Sequence, residues 1–172
     1  MAEVVSVHTV RKKKALAESH ESVCVRKNYG IQGDYRSGKY LAGQMTLVEA
    51  EVMDNVSNKL GYEVPAGASR RQIMVKGISL NELLGQRLRL GPVIVEVTDL
   101  CKPCDNMETA IGPGAKDAMN GRGGVRCRVI TGGELRIGDT VAIINSYCPH
   151  FARLTRLKFK FINYLIRLAK KL

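Results

Sequence analysis

The chain has 172 residues, 45% of them hydrophobic and 25% charged, and its formal net charge is +11. This length suits one well-buried domain, and the composition is that of an ordinary globular protein. The first ten residues contain no basic segment followed by an apolar one, and no apolar run approaches the roughly 20 residues of a membrane-spanning helix. The sequence therefore predicts a cytoplasmic protein that does not span a membrane.

One helix is predicted in the first half of the chain. Thr46 and Glu49 have the spacing of a capping box, in which the hydroxyl caps the first turn and the carboxylate reaches back. Apolar residues then recur every four positions up to Leu60, and Gly61 follows as a common stop signal. The pattern predicts a helix over residues 47–60.

Short strands separated by turns account for most of the remaining chain. Apolar and polar residues alternate in many segments, and Gly, Pro and Asp mark the turns between them. A single helical turn is expected at 80–85 and a short helix at 105–111. Many short strands with few helices predict a mainly β fold, as a barrel or a curled sheet. The strands are predicted at residues 4–10, 23–27, 73–76, 86–90, 93–99, 125–130, 134–137 and 140–144.

Two cysteines follow the apolar strand predicted at 93–99. Cys101 and Cys104 flank Lys102 and Pro103, and the proline cannot continue a strand ladder. A thiol in this place is held firmly yet open on one side, which suits a metal ligand or a nucleophile. The residues alone leave several interpretations open: two incidental thiols, a redox pair, a zinc site that lacks well-spaced further ligands, or one metal-binding thiolate. Five cysteines in all, an odd number, do not indicate a disulfide scaffold.

Three further segments suit an anionic ligand. Arg70 and Arg71 precede a predicted strand, and guanidinium groups match the oxygens of phosphate, although most such pairs lie on the surface without a ligand. Gly33 and Asp34 begin a glycine-containing loop that permits close approach of a ligand to the backbone. Arg122 lies in a second glycine-rich loop, which is either a phosphate-binding nest or a tight turn.

Four segments in this order resemble the MOSC domain family, named after the C-terminal domain of molybdenum cofactor sulfurases. They are Gly-Ile-Gln-Gly-Asp at 30–34, Arg-Arg-Gln-Ile at 70–73, Cys-Lys-Pro-Cys-Asp-Asn-Met-Glu at 101–108 and Gly-Glu-Leu-Arg-Ile-Gly-Asp at 133–139. The resemblance runs from about residue 4 to residue 144. It implies that residues 1–144 form a MOSC-like β-barrel domain.

The resemblance also implies a ligand, the molybdenum cofactor, which is molybdopterin carrying molybdenum. Cys104 corresponds to the family's key cysteine, and it is expected to be both the metal ligand and the catalytic or sulfur-carrying residue. Cys101 is then either structural or able to form a reversible disulfide with Cys104. Gln72 stands where the family usually has Asn. The residues expected to bind the cofactor are Arg70, Arg71, Asp34, Gly33, Lys102 and Arg122.

Three functions are consistent with this resemblance. A sulfur carrier would receive sulfur on Cys104 from a pyridoxal-phosphate cysteine desulfurase. A molybdenum-dependent reductase of N-hydroxylated compounds would need an electron-donor protein, because the sequence has no flavin, haem or iron–sulfur motif. A non-catalytic cofactor-binding protein at a membrane surface is the third.

The last 28 residues, 145–172, differ in composition from the rest. They contain seven Lys or Arg and no acidic residue, and leucines and Phe161 recur at spacings of three and four between Leu154 and Leu172. This pattern predicts a basic amphipathic helix. Its apolar stripe could meet an anionic membrane surface through 151–172, the domain itself or a partner subunit, or the segment could be an added extension. Nucleic acid is a weaker candidate, because no recognised binding module is present.

Overall fold

The computed structural model describes residues 1–145, and this part of the chain is mainly β. An eight-stranded sheet has the order β11-β7-β8-β9-β5-β6-β1-β2, and β10-β3-β4 form a second sheet of three strands. The pair β5–β6 is parallel, and its neighbours β9 and β1 run antiparallel to β5 and β6 respectively. The strands are β1 Glu3–Thr9, β2 Glu18–His20, β3 Ser22–Arg26, β4 Gly30–Ile31, β5 Met45–Glu49, β6 Ile73–Lys76, β7 Arg87–Leu90, β8 Val93–Leu100, β9 Val125–Thr131, β10 Gly133–Arg136 and β11 Val141–Asn145.

The helical elements of the described residues are few and short. They are α1 Ala50–Leu60, α2 Asp105–Ile111 and α3 Ala115–Ala118, with single 3₁₀ turns at Ala66–Ser69 and Leu80–Leu83. The prediction for α2 is confirmed at both ends. Neither α3 nor β2 was predicted, because four and three residues are too few to show a period. His20 lies in β2.

The large sheet is not closed into a barrel. The strand β11 at one end meets β1 through a single bridge, Glu3 to Thr140, rather than through a ladder. Two backbone hydrogen bonds support this approach, from Val4 N–H to the Asp139 carbonyl at 2.9 Å and from Val141 N–H to the Ala2 carbonyl at 2.8 Å. The predicted mainly β class is confirmed, but the expected barrel remains an open, curled sheet.

The main core lies on the inner face of this sheet. On β8, Val93, Val95 and Val97 are buried, and on β9 the buried residues are Val125, Cys127 and Val129. Arg126 and Arg128 point to the other side of β9, because alternate side chains of a strand face opposite sides of the sheet. Burial of these alternate residues also fixes the register of β8 against β9, since a one-residue slip would turn them outward.

The predicted capping box at Thr46 and Glu49 is wrong, and α1 begins three residues later than expected. Residues 45–49 are all buried as β5, in parallel register with β6. The Thr46 amide and hydroxyl donate to Gln72 Oε1 at 2.9 and 3.1 Å, so neither serves the helix. The end of α1 is as predicted: Gly61 has φ 76°, and its N–H donates to the Ser57 carbonyl at 2.9 Å.

A second core joins the three helices to the back of the sheet. Val52 and Val56 of α1 are buried with Met107 of α2 and with Ala115 and Met119 at α3. Met107 is fully buried, and it lies three residues after Cys104. This apolar contact therefore sets the position of the helix that follows the cysteine pair.

No helix within residues 1–145 is long and apolar enough to cross a membrane. The predicted amphipathic helix falls on residues outside the described part of the chain. It stays a prediction, as does the domain boundary at 144.

Replacing Met107 with Ala should lower the free energy of unfolding by about 2–5 kcal/mol, because the lost contacts leave a cavity under α2. Urea denaturation followed by circular dichroism would measure the change. Asn106→Ala, on the exposed side of the same helix, is the matched control and should leave the unfolding midpoint almost unchanged. Equal midpoints for the two variants would show that α2 does not depend on this contact.

Candidate functional site

The loop that carries the two cysteines packs directly on a glycine pair. The Cys101 N–H donates to the Gly124 carbonyl at 2.7 Å, which continues the pairing of β8 with β9. A Cβ on Gly123 would collide with the Cys101 carbonyl oxygen and lie 2.8 Å from Pro103 Cδ. The close packing of residues 101–103 on this backbone therefore requires glycine at position 123.

Arg71 holds this loop in place through backbone carbonyls. Its Nε donates to Gly123 at 2.7 Å, one terminal nitrogen donates to Ser69 at 3.0 Å, and the other donates to Cys101 at 3.2 Å and Lys102 at 3.4 Å. The residue is only 4% exposed. Within residues 1–145, the hydrogen-bond partners of its guanidinium are all backbone carbonyls, so its positive charge is solvated by backbone dipoles beside the cysteine loop.

Three cysteines near this loop differ in access to solvent. Cys104 is exposed, directly precedes α2, and makes no side-chain capping bond; its carbonyl accepts from the Met107 and Glu108 amides at 3.0 Å each. Cys101 is 6% exposed. Cys127 is fully buried, and burial, followed by the neighbouring Cys101 and Glu96, raises the pKa of its thiol. Cys104 is thus the thiol that a large partner can reach.

A pocket of about 370 Å³ lies beside the loop. Residues 100–103 form one part of its lining, and the carbonyl-bonded side chain of Asn81 forms another. Its charged lining residues are Lys102, Lys116 and Asp117, so cations outnumber anions. The rest of the lining is Asn120, Gly121, Gly123 and Gly124. Cys101 lines the pocket, whereas Cys104 follows the lining residue Pro103 and is not itself part of the lining.

The start of α3 is tied to α2 by charged groups. The Glu108 carboxylate accepts from the Gly114 and Lys116 amides. Lys116 Nζ lies 2.7 Å from Asp105 Oδ1. The hydrogen bond and the charge of Lys116 lower the pKa of Asp105, and the same contact raises the pKa of Lys116. These exposed contacts keep Lys116 at the pocket wall next to the residue that follows Cys104.

Arg122 reaches away from the pocket toward the start of α1. Its guanidinium lies 2.8 Å from one oxygen of Glu49, and the other oxygen accepts from the Leu80 amide at 2.6 Å. Glu49 is buried. The carboxylate therefore joins the glycine-rich loop to the 3₁₀ turn that contains Asn81.

The predicted residues Asp34, Arg70 and Gly33 are not part of the lining of the pocket beside the cysteine loop. Asp34 accepts from the Val10 amide at 3.0 Å and from Arg36 Nε and a terminal nitrogen at 2.8 and 2.7 Å. Arg36 also donates to the Arg70 carbonyl at 2.8 Å. Burial raises the pKa of Asp34, but the hydrogen bonds and charge of Arg36 lower it by more, so it lies below its ordinary value of 3.8.

Gly33 lines a second pocket of about 370 Å³, together with Thr9, His20 and Gln32. The structure thus brings Lys102 together with Cys101, while Gly33, Asp34 and Arg70 form a separate group. Sequence reasoning missed Asn81, Lys116 and Asn120 as pocket residues. No motif marks them, since they reach the pocket only through the packing of α3 and the Leu80–Leu83 turn.

Among residues 1–145, no group of three or more His, Cys, Asp or Glu side chains is placed to hold a metal ion. A metal bound in this part of the chain would need most of its ligands from elsewhere. A single soft thiolate beside a cationic pocket fits a metal that arrives already held by a cofactor with an anionic tail.

Comparisons with known proteins agree on the family and the fold. The model of the MOSC domain matches residues 34–142. The structure is similar to that of YuaD from Bacillus subtilis, with a TM-score of 0.69, 15% identity and coverage of 86% of this chain and 98% of that one. YiiM from Geobacillus stearothermophilus gives a TM-score of 0.71 and 17% identity over 92% of this chain and 84% of its own. A comparison with curated protein sequences finds no significant match.

Replacing Arg71 with Lys should loosen the cysteine loop, because an ammonium group cannot reproduce a planar fork that reaches four carbonyls. We expect the free energy of unfolding to fall by about 1–3 kcal/mol, the cost of leaving buried carbonyls unsatisfied. Cys101 should also react faster with a small thiol reagent, measured by peptide mapping under native conditions. Arg70→Lys is the control, since Arg70 makes one carbonyl contact through its side chain at 3.2 Å. Unchanged labelling of Cys101 in Arg71→Lys would contradict this role.

Asp34→Asn should lower the free energy of unfolding by about 1–3 kcal/mol at pH 7, because the carboxylate accepts several charged and backbone hydrogen bonds. The pKa of Asp34 is lower in the folded state, so its contribution is present above pH 3.8 and is lost as the pH falls below that value. The difference from the wild type should therefore shrink at acid pH, as measured by urea denaturation across pH 3–7. Glu134→Gln, which removes an exposed carboxylate paired with Arg136, is the control and should have almost no effect. A difference that persists undiminished at pH 3 would rule out the ionised carboxylate as its source.

Proposed function

This chain belongs to the MOSC domain family, and from that premise we propose that it binds the molybdenum cofactor in the pocket beside residues 101–104. Cys104 is the protein sulfur that meets the metal or carries sulfur for it. The observation that carries the proposal is the exposed Cys104 thiol directly after the pocket-lining Pro103. It is supported by the adjoining pocket, whose lining contains Lys102 and Lys116.

The lining of the pocket suits the organic part of this cofactor. Lys102 and Lys116 offer ammonium groups to a phosphate, and Asn81 and Asn120 offer amides to the edge of a pterin. At Gly121 the place of the missing Cβ is open space, which permits a flat ring to approach the backbone closely. When bound, the cofactor supplies molybdenum for oxygen- or sulfur-atom transfer, while these residues hold and orient its organic part.

The buried Arg71 contributes to the same electrostatic preference. Its charge lies beside the loop carbonyls of Cys101 and Lys102 and is shielded from water. Because Coulomb interactions weaken less in such surroundings than in bulk water, the charge favours an anion in the adjoining pocket. Arg71 therefore acts on the ligand through the field and the shape of the loop. The predicted direct contacts of Arg70, Arg71, Asp34, Gly33 and Arg122 with the cofactor stay predictions.

Between the possible roles of Cys104, the exposure of the thiol favours sulfur transfer. A persulfide on a partner protein has to meet the accepting sulfur directly, and a thiol at the surface end of a helix allows this encounter. A pyridoxal-phosphate cysteine desulfurase is the donor class that fits this chemistry. Reduction of N-hydroxylated compounds is the alternative use of the same site and would need an electron-donor protein.

Molybdenum and pterin content decides the proposal. The full chain, purified anaerobically from a host that makes the cofactor, should carry near-stoichiometric molybdenum and pterin. Cys104→Ala should retain about 10- to 100-fold less molybdenum, which is the usual scale for disturbing a metal site. Cys24→Ala is the matched control, because Cys24 is also an exposed free thiol but lies on β3.

Two results would contradict cofactor binding through Cys104. One is wild-type protein without molybdenum and pterin, and the other is equal molybdenum in Cys104→Ala and Cys24→Ala. Loss of molybdenum with retention of pterin in Cys104→Ala would support the thiolate as the ligand of the metal itself.

A further inference from the structure

We propose that Cys101 is a second reactive thiol, which attacks a persulfide on Cys104 and releases its outer sulfur as hydrosulfide at the edge of the pocket. The inference rests on the proposed sulfur chemistry of Cys104, but not on binding of the cofactor. It assigns a task to a cysteine that the proposed function leaves unused.

Cys101 is placed to react with a sulfur atom of its own chain rather than with another protein. Its amide is bonded to the Gly124 carbonyl and its carbonyl accepts from Arg71, so the backbone is held on both sides. At 6% exposure it is closed to another protein, yet it lines the pocket. A thiol so placed can react with a neighbouring sulfur or a small molecule and with little else.

Cys104 has the complementary placement. It is exposed, its side chain makes no capping bond, and its backbone is extended with φ −145° and ψ 166°. Two residues separate the pair, which is the spacing of redox-active disulfides. Cys104 therefore meets the sulfur donor, and the nearly buried Cys101 reacts with the persulfide that forms on Cys104.

A cation adjoins the Cys101 thiol. Burial lowers the pKa of Arg126, but the charge and hydrogen bond of Cys101, followed by Asp99 and Tyr40, raise it by more. The Arg126 guanidinium is thus in position to balance a negative charge on sulfur, which is the form that attacks. Cys127 neighbours Cys101 but is fully buried, and the raised pKa of its thiol keeps it protonated and out of the reaction.

The step balances without a further reagent. The Cys101 thiolate attacks the inner sulfur of the Cys104 persulfide, a Cys101–Cys104 bond forms, and the bond between the inner and outer sulfurs of Cys104 breaks. The outer sulfur takes the electron pair and leaves as hydrosulfide. The two cysteines are thereby oxidised to a disulfide, and a small dithiol reductant restores both thiols.

The product would leave beside a pocket whose lining contains two cations and one anion. The pocket that Cys101 lines also contains Lys102 and Lys116. Cys104 is exposed and follows the lining residue Pro103, so hydrosulfide leaves it at the edge of this cation-lined pocket. The pair would thus release reduced sulfur next to the cavity proposed to hold the cofactor.

The test uses the full chain treated with inorganic polysulfide to form persulfides. Released hydrosulfide is measured over time, and alkylated peptides are analysed by mass spectrometry. Trypsin does not cut between Lys102 and Pro103, so both cysteines stay in one peptide, residues 90–116. The expected peptide from the wild type is two hydrogens lighter than the dithiol form, as a disulfide requires.

The variants separate the two thiols. Cys101→Ser should keep the extra sulfur on Cys104 and release hydrosulfide about tenfold more slowly, because the internal attacking thiol is gone. Cys104→Ser should not form the disulfide in this peptide. Cys24→Ser, which removes an exposed thiol elsewhere, should behave as the wild type.

Arg126 provides a second measure that does not depend on removing a buried thiol. Arg126→Gln keeps both cysteines and should slow the release, whereas Arg126→Lys keeps the charge and should retain it. Wild-type release rates in both Cys101→Ser and Arg126→Gln would overturn the proposal.

Failure to form any persulfide on Cys104 would overturn it as well, together with the sulfur-carrier role. Cofactor binding would still be judged separately by molybdenum and pterin content. Release that requires Cys101, in a protein that carries no molybdenum, would support the pair and refute the cofactor proposal alone.

Discussion

The geometry of the candidate site depends on one buried cation. Arg71 precedes β6, and its side chain bonds carbonyls of Cys101 and Lys102 after β8 and of Gly123 before β9. A buried charge is costly unless dipoles or counter-charges compensate it, so the three segments have to stay in place for the guanidinium to be satisfied. The requirement works in both directions: the carbonyls also need their donors. These hydrogen bonds tie the two loops that border the pocket to the strands of the sheet, which keeps the loops in place.

The sequence predicted the strands better than the contacts at their ends. Valine alternation at 93–97 and 125–129 indicated two strands and their inner faces correctly, because burial on one side of a sheet imposes a period of two. Thr46 and Glu49 misled the prediction, since the four-residue spacing from Val48 onward overlaps a buried strand that also contains apolar residues. The partners of Arg71 could not be predicted, because backbone carbonyls leave no mark in a sequence. The same applies to Lys116, which reaches the pocket only through a four-residue helix.

The three cysteines near the site differ stepwise in their exposure to solvent. Cys104 is exposed, Cys101 is nearly buried against the pocket, and Cys127 is enclosed in the main core. Their separation follows from the sheet: Cys127 points inward from β9, whereas Cys101 and Cys104 lie beyond the end of β8. The fold thus grades the reactivity of chemically identical side chains by depth. A role for one thiol does not carry over to its neighbours.

Arg71 holds the cysteine loop through the backbone carbonyls of Cys101 and Lys102. The shape of the loop therefore does not depend on the side chain at position 102. Lys102 takes part in this contact only through its backbone oxygen, which accepts a hydrogen bond from Arg71. Substitution at this position can therefore change the charge and size of the pocket wall while the scaffold stays the same. The backbone of the loop and the ligand preference of the pocket can therefore change independently. Related chains can differ in the ligand that they bind through the residue at position 102 alone. Position 123, in contrast, has to remain glycine, because a Cβ there would collide with the cysteine loop.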